Sequence, residues 1–359
     1  MRLIAVSNTL FIRGLYFISL FFLCLPFSSY AQNTVNYSTP KSYIANHTNE
    51  IIKIDGLGLE ESWKNAEYSD VFIDIEGVKK PKYNTQVKIL WDKNYIYFLA
   101  TMEEPHVWGT LRKRDTIIFH NNDFEIFVDP DGDAHNYYEF EFNALNTVWD
   151  LFITKPYRDG ALTINDWDAN GLKSAVYVDG TLNNPNDIDK SWSIEIAIPL
   201  KVFKTSYFQT IDLNDKFWRI NFSRVNWDFQ LDNKQYSRKK DKNGAFSHEY
   251  NWVWSPQGVI AMHQPETWGY VYFANEDVKE INEFLIPKDE HIKWFLFDLH
   301  NQLKKKKITA KDVSTAKFVL EKKLVPKYQS HETGYNIWID SPFTGSKIIL
   351  NQNGQIIIK

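Results

Sequence analysis

One cysteine and three methionines are all the sulfur in this 359-residue chain. The lone Cys24 has no partner for an intramolecular disulfide, so a cystine-stapled scaffold is excluded. Basic charge is not in excess either. Forty-one Lys and Arg stand against 45 Asp and Glu, a formal net charge of −4. That balance removes the electrostatic case for nucleic acid or an anionic membrane surface as partner. Glycine and proline, at 15 and 13 residues, are too sparse for collagen or a low-complexity chain. No apolar run reaches the roughly 20 residues of a membrane-spanning helix. What is abundant is aromatic: 13 Trp, 19 Tyr and 25 Phe. A chain so rich in rings has the means to build a large core without disulfides.

The first 31 residues read as a secretory signal peptide. Arg2 and Arg13 give a basic start, Leu15–Phe27 is the apolar run, and Ser29 and Ala31 put small residues before Gln32. Cys24 lies inside that run, after Phe22 and Leu23, which is not a lipoprotein signal. The expectation is an exported protein, periplasmic or extracellular, with no cysteine once cleaved.

Residues 32–50 are polar and read as a leader. Over residues 51–273 the pattern is that of strands. Alternating runs at Gln86–Trp91, Tyr95–Met102, Asp123–Val128, Tyr137–Leu145, Val148–Ile153, Trp192–Ile198, Trp218–Val225 and Trp268–Phe273 are separated by turn residues such as Asp129-Pro130-Asp131-Gly132. No amphipathic helix separates them, which excludes parallel βαβ units and predicts an all-β fold, either an antiparallel sandwich of the immunoglobulin or jelly-roll kind or a barrel. In residues 274–359 the period changes. Ile292, Phe295, Leu296, Leu299 and Leu303 make one helical stripe, and Val313, Ala316 and Leu320, behind a Thr309/Asp312 capping box, make a second. Strands at Tyr335–Asp340, Lys347–Leu350 and Gln355–Lys359, with an Asn353-Gly354 turn, close the chain. This stretch reads as a small α+β extension: a helical hairpin and a short β tail.

Strand parity gathers a polar set. Glu125 and Phe127 point one way from their strand, Glu139, Glu141 and Asn143 from the next, and Arg219 and Asn221 from a third. If these strands are neighbours, carboxylates and amides share one sheet face, rimmed by aromatics. That mixture suits a sugar, whose ring stacks on planar side chains while its hydroxyls bond to polar ones. It equally suits an ordinary solvated sheet face with cross-strand ion pairs. Two carboxylates on one face also raise glycoside hydrolysis, with Glu125 and either Glu139 or Glu141 as the pair. Asp129, Asp131 and Asp133 around Gly132 are oxygen donors for a structural Ca²⁺, or simply an acidic turn. Their spacing does not match an EF-hand.

Six motifs in order resemble the family-9 carbohydrate-binding modules, in their stand-alone secreted form. They are Ile54-Asp55-Gly56 with Glu60, Trp63 and Ala66; Val87–Asp92 with Tyr95-Ile96-Tyr97; Asn122–Asp133 with Tyr137–Phe140 and Asn143; Trp192–Pro199; Arg219–Arg224; and Trp254-Ser255-Pro256 through Trp268-Gly269. The resemblance implies a distorted β-sandwich related to DOMON domains. It also implies non-catalytic binding of oligo- or polysaccharide ends, beside glycoside hydrolases such as xylanases. Members of the family hold the sugar between two Trp rings, and those places fall on Phe119 and near Met262. The family's acidic hydrogen-bonding position falls on Glu125, and a basic position falls on Glu141. Trp108, Trp149, Trp227 and Trp254 are then candidates for the missing aromatic face, Trp108 and Trp254 foremost, with Asn143 and Arg224 as further polar contacts. Some DOMON relatives bind haem, for which Met262 with His263, or Met102 with His120, would be the ligands.

Overall fold

The computed structural model describes residues 38–204, 210–275 and 283–359. The signal-peptide reading of residues 1–31 lies outside them. Among the described residues no helix is long and apolar enough to cross a membrane.

The strands of the main body are β1 (Ser42–His47), β2 (Ile73–Asp74), β3 (Thr85–Trp91), β4 (Tyr95–Glu103), β5 (Asp123–Asp129), β6 (Tyr137–Asn143), β7 (Val148–Ile153), β8 (Thr163–Ile164), β9 (Lys173–Asp179), β10 (Ser191–Pro199), β11 (Lys216–Asn226), β12 (Phe229–Asp232), β13 (Gln235–Arg238), β14 (Tyr250–Val253) and β15 (Gly269–Phe273). One short helix, α1 (Glu61–Asn65), precedes β2. The strand order is β8-β7-β6-β5-β11-β15-β1-β3-β4-β10-β9, with β14 and β2 attached beside β11, and the small hairpin β12-β13 stands apart. This is an all-β sandwich with two layers. Strand β1 joins them: Ser42–Ala45 pair with β15, while Asn46 and His47 pair with β3, both parallel.

Parity explains the layers. From β11, Trp218, Ile220 and Phe222 point inward, as do Phe124, Ile126 and Val128 from β5 and Tyr138, Phe140 and Phe142 from β6. They meet Val87, Ile89, Phe98, Ala100, Ile194 and Ile196 of the opposing layer in the principal core. On the far side of that layer, Trp63 of α1 packs with Leu90, Tyr97 and Leu99, and its indole N–H donates to Glu195 at 2.7 Å.

Three expectations need correction. The stretch read as a polar leader contains β1, a strand paired on both sides, with Tyr43 and Ala45 buried. Its partners lie far along the chain, so nothing local marks it. The strand read as Tyr137–Leu145 ends at Asn143, whose side chain closes the following turn by accepting the amides of Leu145 and Thr147, both at 3.0 Å. In the tail, the first helix forms as α2 (Lys288–Lys304), but the second is the four-residue α3 (Ala310–Val313). The capping box at Thr309 and Asp312 is present. The stripe beyond it is instead the hairpin β16 (Lys317–Val319) and β17 (Lys322–Leu324), turned by Leu320 and Glu321 with φ of 46° and 64°. The chain ends in a four-stranded sheet of β18 (Lys327–His331), β19 (Gly334–Asp340), β20 (Lys347–Asn351) and β21 (Ile356–Ile358).

The tail packs on the sandwich. Glu290 of α2 accepts from Tyr270 at 2.9 Å and faces Arg219 at 3.4 Å. Buried His300 bonds Asp159 at 3.1 Å and Tyr335 at 2.9 Å. Ala134, in the β5–β6 hairpin, belongs to the tail's own apolar cluster.

Candidate functional site

Strands β6, β5 and β11 are neighbours, so the face that parity assembled exists. Glu125 stands opposite Glu141 on one side and Ser223 on the other, and Phe127 stands between Glu139 and Asn221. It is not a solvated outer face. Glu125, Glu139 and Glu141 are each 5% exposed or less. The cover comes from β2, β14 and the segment leading into β15, through Ile75, Val253, Met262 and Trp268.

Where the cover stops, a cleft of about 410 Å³ opens. Its floor carries Glu125, Glu139 and Glu141. Phe119, Trp149, Tyr157, Ile260 and Met262 form apolar walls, with Glu249, Asn251 and His263 among the polar groups. Among the described residues no Lys or Arg lines it. Phe119 is held at its place because its amide donates to Glu141 Oε2 at 3.0 Å and its carbonyl accepts the Trp227 indole N–H at 2.7 Å. His263 contacts the Tyr137 hydroxyl through Nδ1 at 3.0 Å, and the Tyr157 ring lies 4.1 Å from its own. Burial pushes the His263 imidazole down to about 3, so it is neutral.

The floor is electrostatically costly. Burial pushes the Glu125 carboxyl up to about 7, the Ser223 hydroxyl opposing this and Glu249 adding to it. Burial first, and repulsion from Glu125 second, hold Asp123, Glu139 and Glu141 far above the ordinary carboxylate range. Carboxyl oxygens accept hydrogen bonds from hydroxyls, which matches a hydroxyl-rich ligand.

The structure brings four of the eight expected binding residues to the cleft: Phe119, Glu125, Glu141 and Met262. The other four are elsewhere. Asn143 is fully buried, and its amide nitrogen donates to the carbonyl of Leu111 at 2.8 Å. Arg224 points into the sandwich with the apolar side chains of β11. There it pairs with Glu104 at 2.8 Å, donates to Thr85 at 3.1 Å and lies 5.1 Å from the Trp252 ring. Trp254 is core, 1% exposed and packed on Phe222. Trp108 is buried and stacked on Tyr236 at 6.2 Å. Tyr157, Glu249 and Ile260 were not anticipated. They reach the cleft from loops or strand edges, where periodicity carries no signal. Met102, one haem-ligand candidate, is in the principal core.

Asp129, Asp131 and Asp133 do converge, but Asp129 and Asp133 are engaged by the turn they sit in. The two oxygens of Asp129 accept the amides of Gly132 and Ala134, and those of Asp133 accept His135 N and Gln355 Nε2. The group clasps the β5–β6 hairpin to the tail.

Residues 54–276 match the carbohydrate family 9 binding domain-like family. The chain belongs to that family. Its family region ends near the end of β15, before the tail. A 127-residue stretch is 29% identical to endo-1,4-beta-xylanase A of Thermotoga maritima, covering 33% of this chain and 12% of that enzyme. The chain thus matches about an eighth of that relative's length. Among solved structures it is similar to a Bacteroides uniformis protein provisionally assigned as carbohydrate-binding, at 16% identity and TM-score 0.48, over 66% of this chain and 100% of that one. It is also similar to a family 9 carbohydrate binding module of Caldicellulosiruptor kristjanssonii in complex with cellotriose. There the identity is 14% and the TM-score 0.42, over 69% of this chain and 98% of that one.

Proposed function

We propose that the cleft over β5, β6 and β11 binds the end of an oligo- or polysaccharide of plant type, without cleaving it, in an exported protein that works beside glycoside hydrolases. The observation that carries this is the composition of the cleft. Three nearly buried carboxyls form its floor while Phe119, Trp149, Tyr157 and Met262 supply flat or adaptable apolar surface above them. The volume of about 410 Å³ falls within the range of small-ligand sites, roughly 300–1,000 Å³. In this reading the walls cover the faces of a pyranose ring, and Glu125, Glu139 and Glu141 bond its hydroxyls. Family membership and the bound cellotriose of the Caldicellulosiruptor module support a sugar as the ligand class.

The arrangement favours binding over hydrolysis. Glu125 and Glu141 are direct cross-strand neighbours side by side on the floor, on one side of any bound ring, whereas the hydrolytic pair must flank the scissile bond. A glycan array followed by calorimetry tests the reading. Saturable binding of at least one glycan, with no new products by mass spectrometry, is expected. Binding of none, or turnover of the bound glycan, would overturn it.

A further inference from the structure

Among the described residues no cationic side chain lines the cleft floor. Asp123 and Glu125 project from the same face of β5, and Glu141 stands opposite Glu125 on β6. One carboxylate oxygen from each lies within 4.8 Å of the others. Two oxygens bound to a single calcium at 2.3–2.6 Å are at most about 5 Å apart, so three oxygens this close fit around one ion. All three donors stand on paired strands, which fixes their positions before any ion arrives.

A second observation points the same way. Asp123 is completely buried. Its Oδ1 accepts the amide of Val225 at 3.2 Å, but its Oδ2 has no hydrogen-bond partner. A buried carboxylate oxygen left so is expensive unless something positive sits against it. The Arg224 guanidinium does not fill that role, because it points to the other face of β11 and is paired with Glu104. Two other acidic groups of the described residues differ. Asp115, Asp150 and Asp168 surround Arg114. Asp129 and Asp133 are engaged by N–H groups of their own turn and of Gln355.

We propose that Asp123, Glu125 and Glu141 together hold one divalent, oxygen-preferring cation such as Ca²⁺ at the floor of the cleft. Asp123 lies beneath, while Glu125 and Glu141 line the cavity. The remaining coordination positions therefore open to the cleft, where water fills them. The site does not depend on the carbohydrate reading, and its test uses no sugar.

The test is calorimetry with CaCl₂, together with terbium luminescence, on the whole protein after chelator treatment. One saturable equivalent is expected. Asp123→Asn keeps an oxygen for the Val225 amide, and Glu141→Gln keeps one for the Phe119 amide, so both variants should fold, which circular dichroism verifies. Each removes one of three charged donors and should weaken that equivalent by about tenfold or more. Asp131→Asn, in the hairpin, should leave it unchanged. If either donor variant misfolds, Glu125→Gln takes its place, and a terbium-soaked crystal locates the ion directly. No saturable binding up to about 10 mM, tenfold beyond the weak end of extracellular calcium modules, would overturn the proposal. So would wild-type affinity in either folded donor variant, loss of the equivalent in Asp131→Asn, or terbium found elsewhere.

Discussion

Replacing Arg224 by Ala should unfold this protein far more readily while leaving its ligand affinity untouched. The side chain is fully buried, and its carboxylate partner Glu104 is 4% exposed. The pair is 2.8 Å apart, with Thr85, Asn226 and Asn122 bonding to its members. Burial alone pulls the Arg224 guanidinium down and pushes the Glu104 carboxyl up, so desolvation outweighs their mutual attraction. Removing one partner therefore strands the other as an uncompensated buried charge, at about 3–5 kcal/mol. At roughly 2–4 °C per kcal/mol, Tm should fall by about 6–20 °C. Removing both should be far milder: Arg224→Met with Glu104→Met replaces the pair by apolar side chains of similar length, a change often neutral in other proteins. Urea unfolding of the two single variants and the double variant gives the coupling directly. A loss below about 1 kcal/mol in Arg224→Ala would mean that the pair behaves like an exposed one, and the inward orientation of Arg224 would be wrong.

Other perturbations follow from the same packing. Gly269→Ala would place a Cβ 2.2 Å from the buried Trp254 ring. Such overpacking should cost about 1–3 kcal/mol in chemical denaturation, and an unchanged midpoint would contradict the observed contact. His263 has its folded value lowered to about 3 by burial. It therefore contributes stability that is complete above its unfolded value of about 6.5 and is lost as pH falls toward 3. The stability advantage of wild type over His263→Asn should shrink steadily in urea titrations between pH 6.5 and 4, and an advantage that grew would reverse the sign. Ending the chain at residue 275 removes Glu290 from Arg219 and Tyr270, and the tail core from Ala134. Broad, early thermal unfolding is expected of that fragment, and a transition as sharp and as late as the parent's would show that the tail is dispensable for the sandwich.

Much of this architecture is legible in the residues because the interior strands alternate cleanly. Phe124-Glu125-Ile126-Phe127 and Trp218-Arg219-Ile220-Asn221-Phe222 assign their faces without a structure, and those faces are the ones observed. Parity also places Arg224 with Trp218, Ile220 and Phe222. The resemblance made it a ligand contact, but β11 runs on past it to Asn226 and its side chain lies inside the sandwich, paired with Glu104. What local pattern does not contain is long-range pairing. Strand β1 has no strong alternation and is held by partners more than 200 residues away in β15. The walls of the cleft come from the loops around Phe119, Tyr157 and Ile260, whose approach depends on how the cover folds over the sheet. Nor does alternation tell a solvated polar face from a buried one, and the distinction is central here. Three acids that read equally well as surface residues are 5% exposed or less. The tryptophans misled for a related reason: Trp108 and Trp254 are large enough to be binding platforms, yet both are buried.

The central claim is that the acidic cleft holds a sugar. It is tested most directly by calorimetry of wild type, Phe119→Ala and Glu125→Gln against the glycan that binds best on an array, with folding checked by circular dichroism. Loss of one stacked face exposes on the order of 100 Å² of apolar surface, roughly 2.5 kcal/mol at ~25 cal/mol/Å². Phe119→Ala should therefore weaken binding about 50- to 100-fold. Glu125→Gln, which keeps the shape and changes the protonation chemistry of the floor, should also weaken it. Parent-like affinity in both folded variants would place the ligand elsewhere and contradict the account.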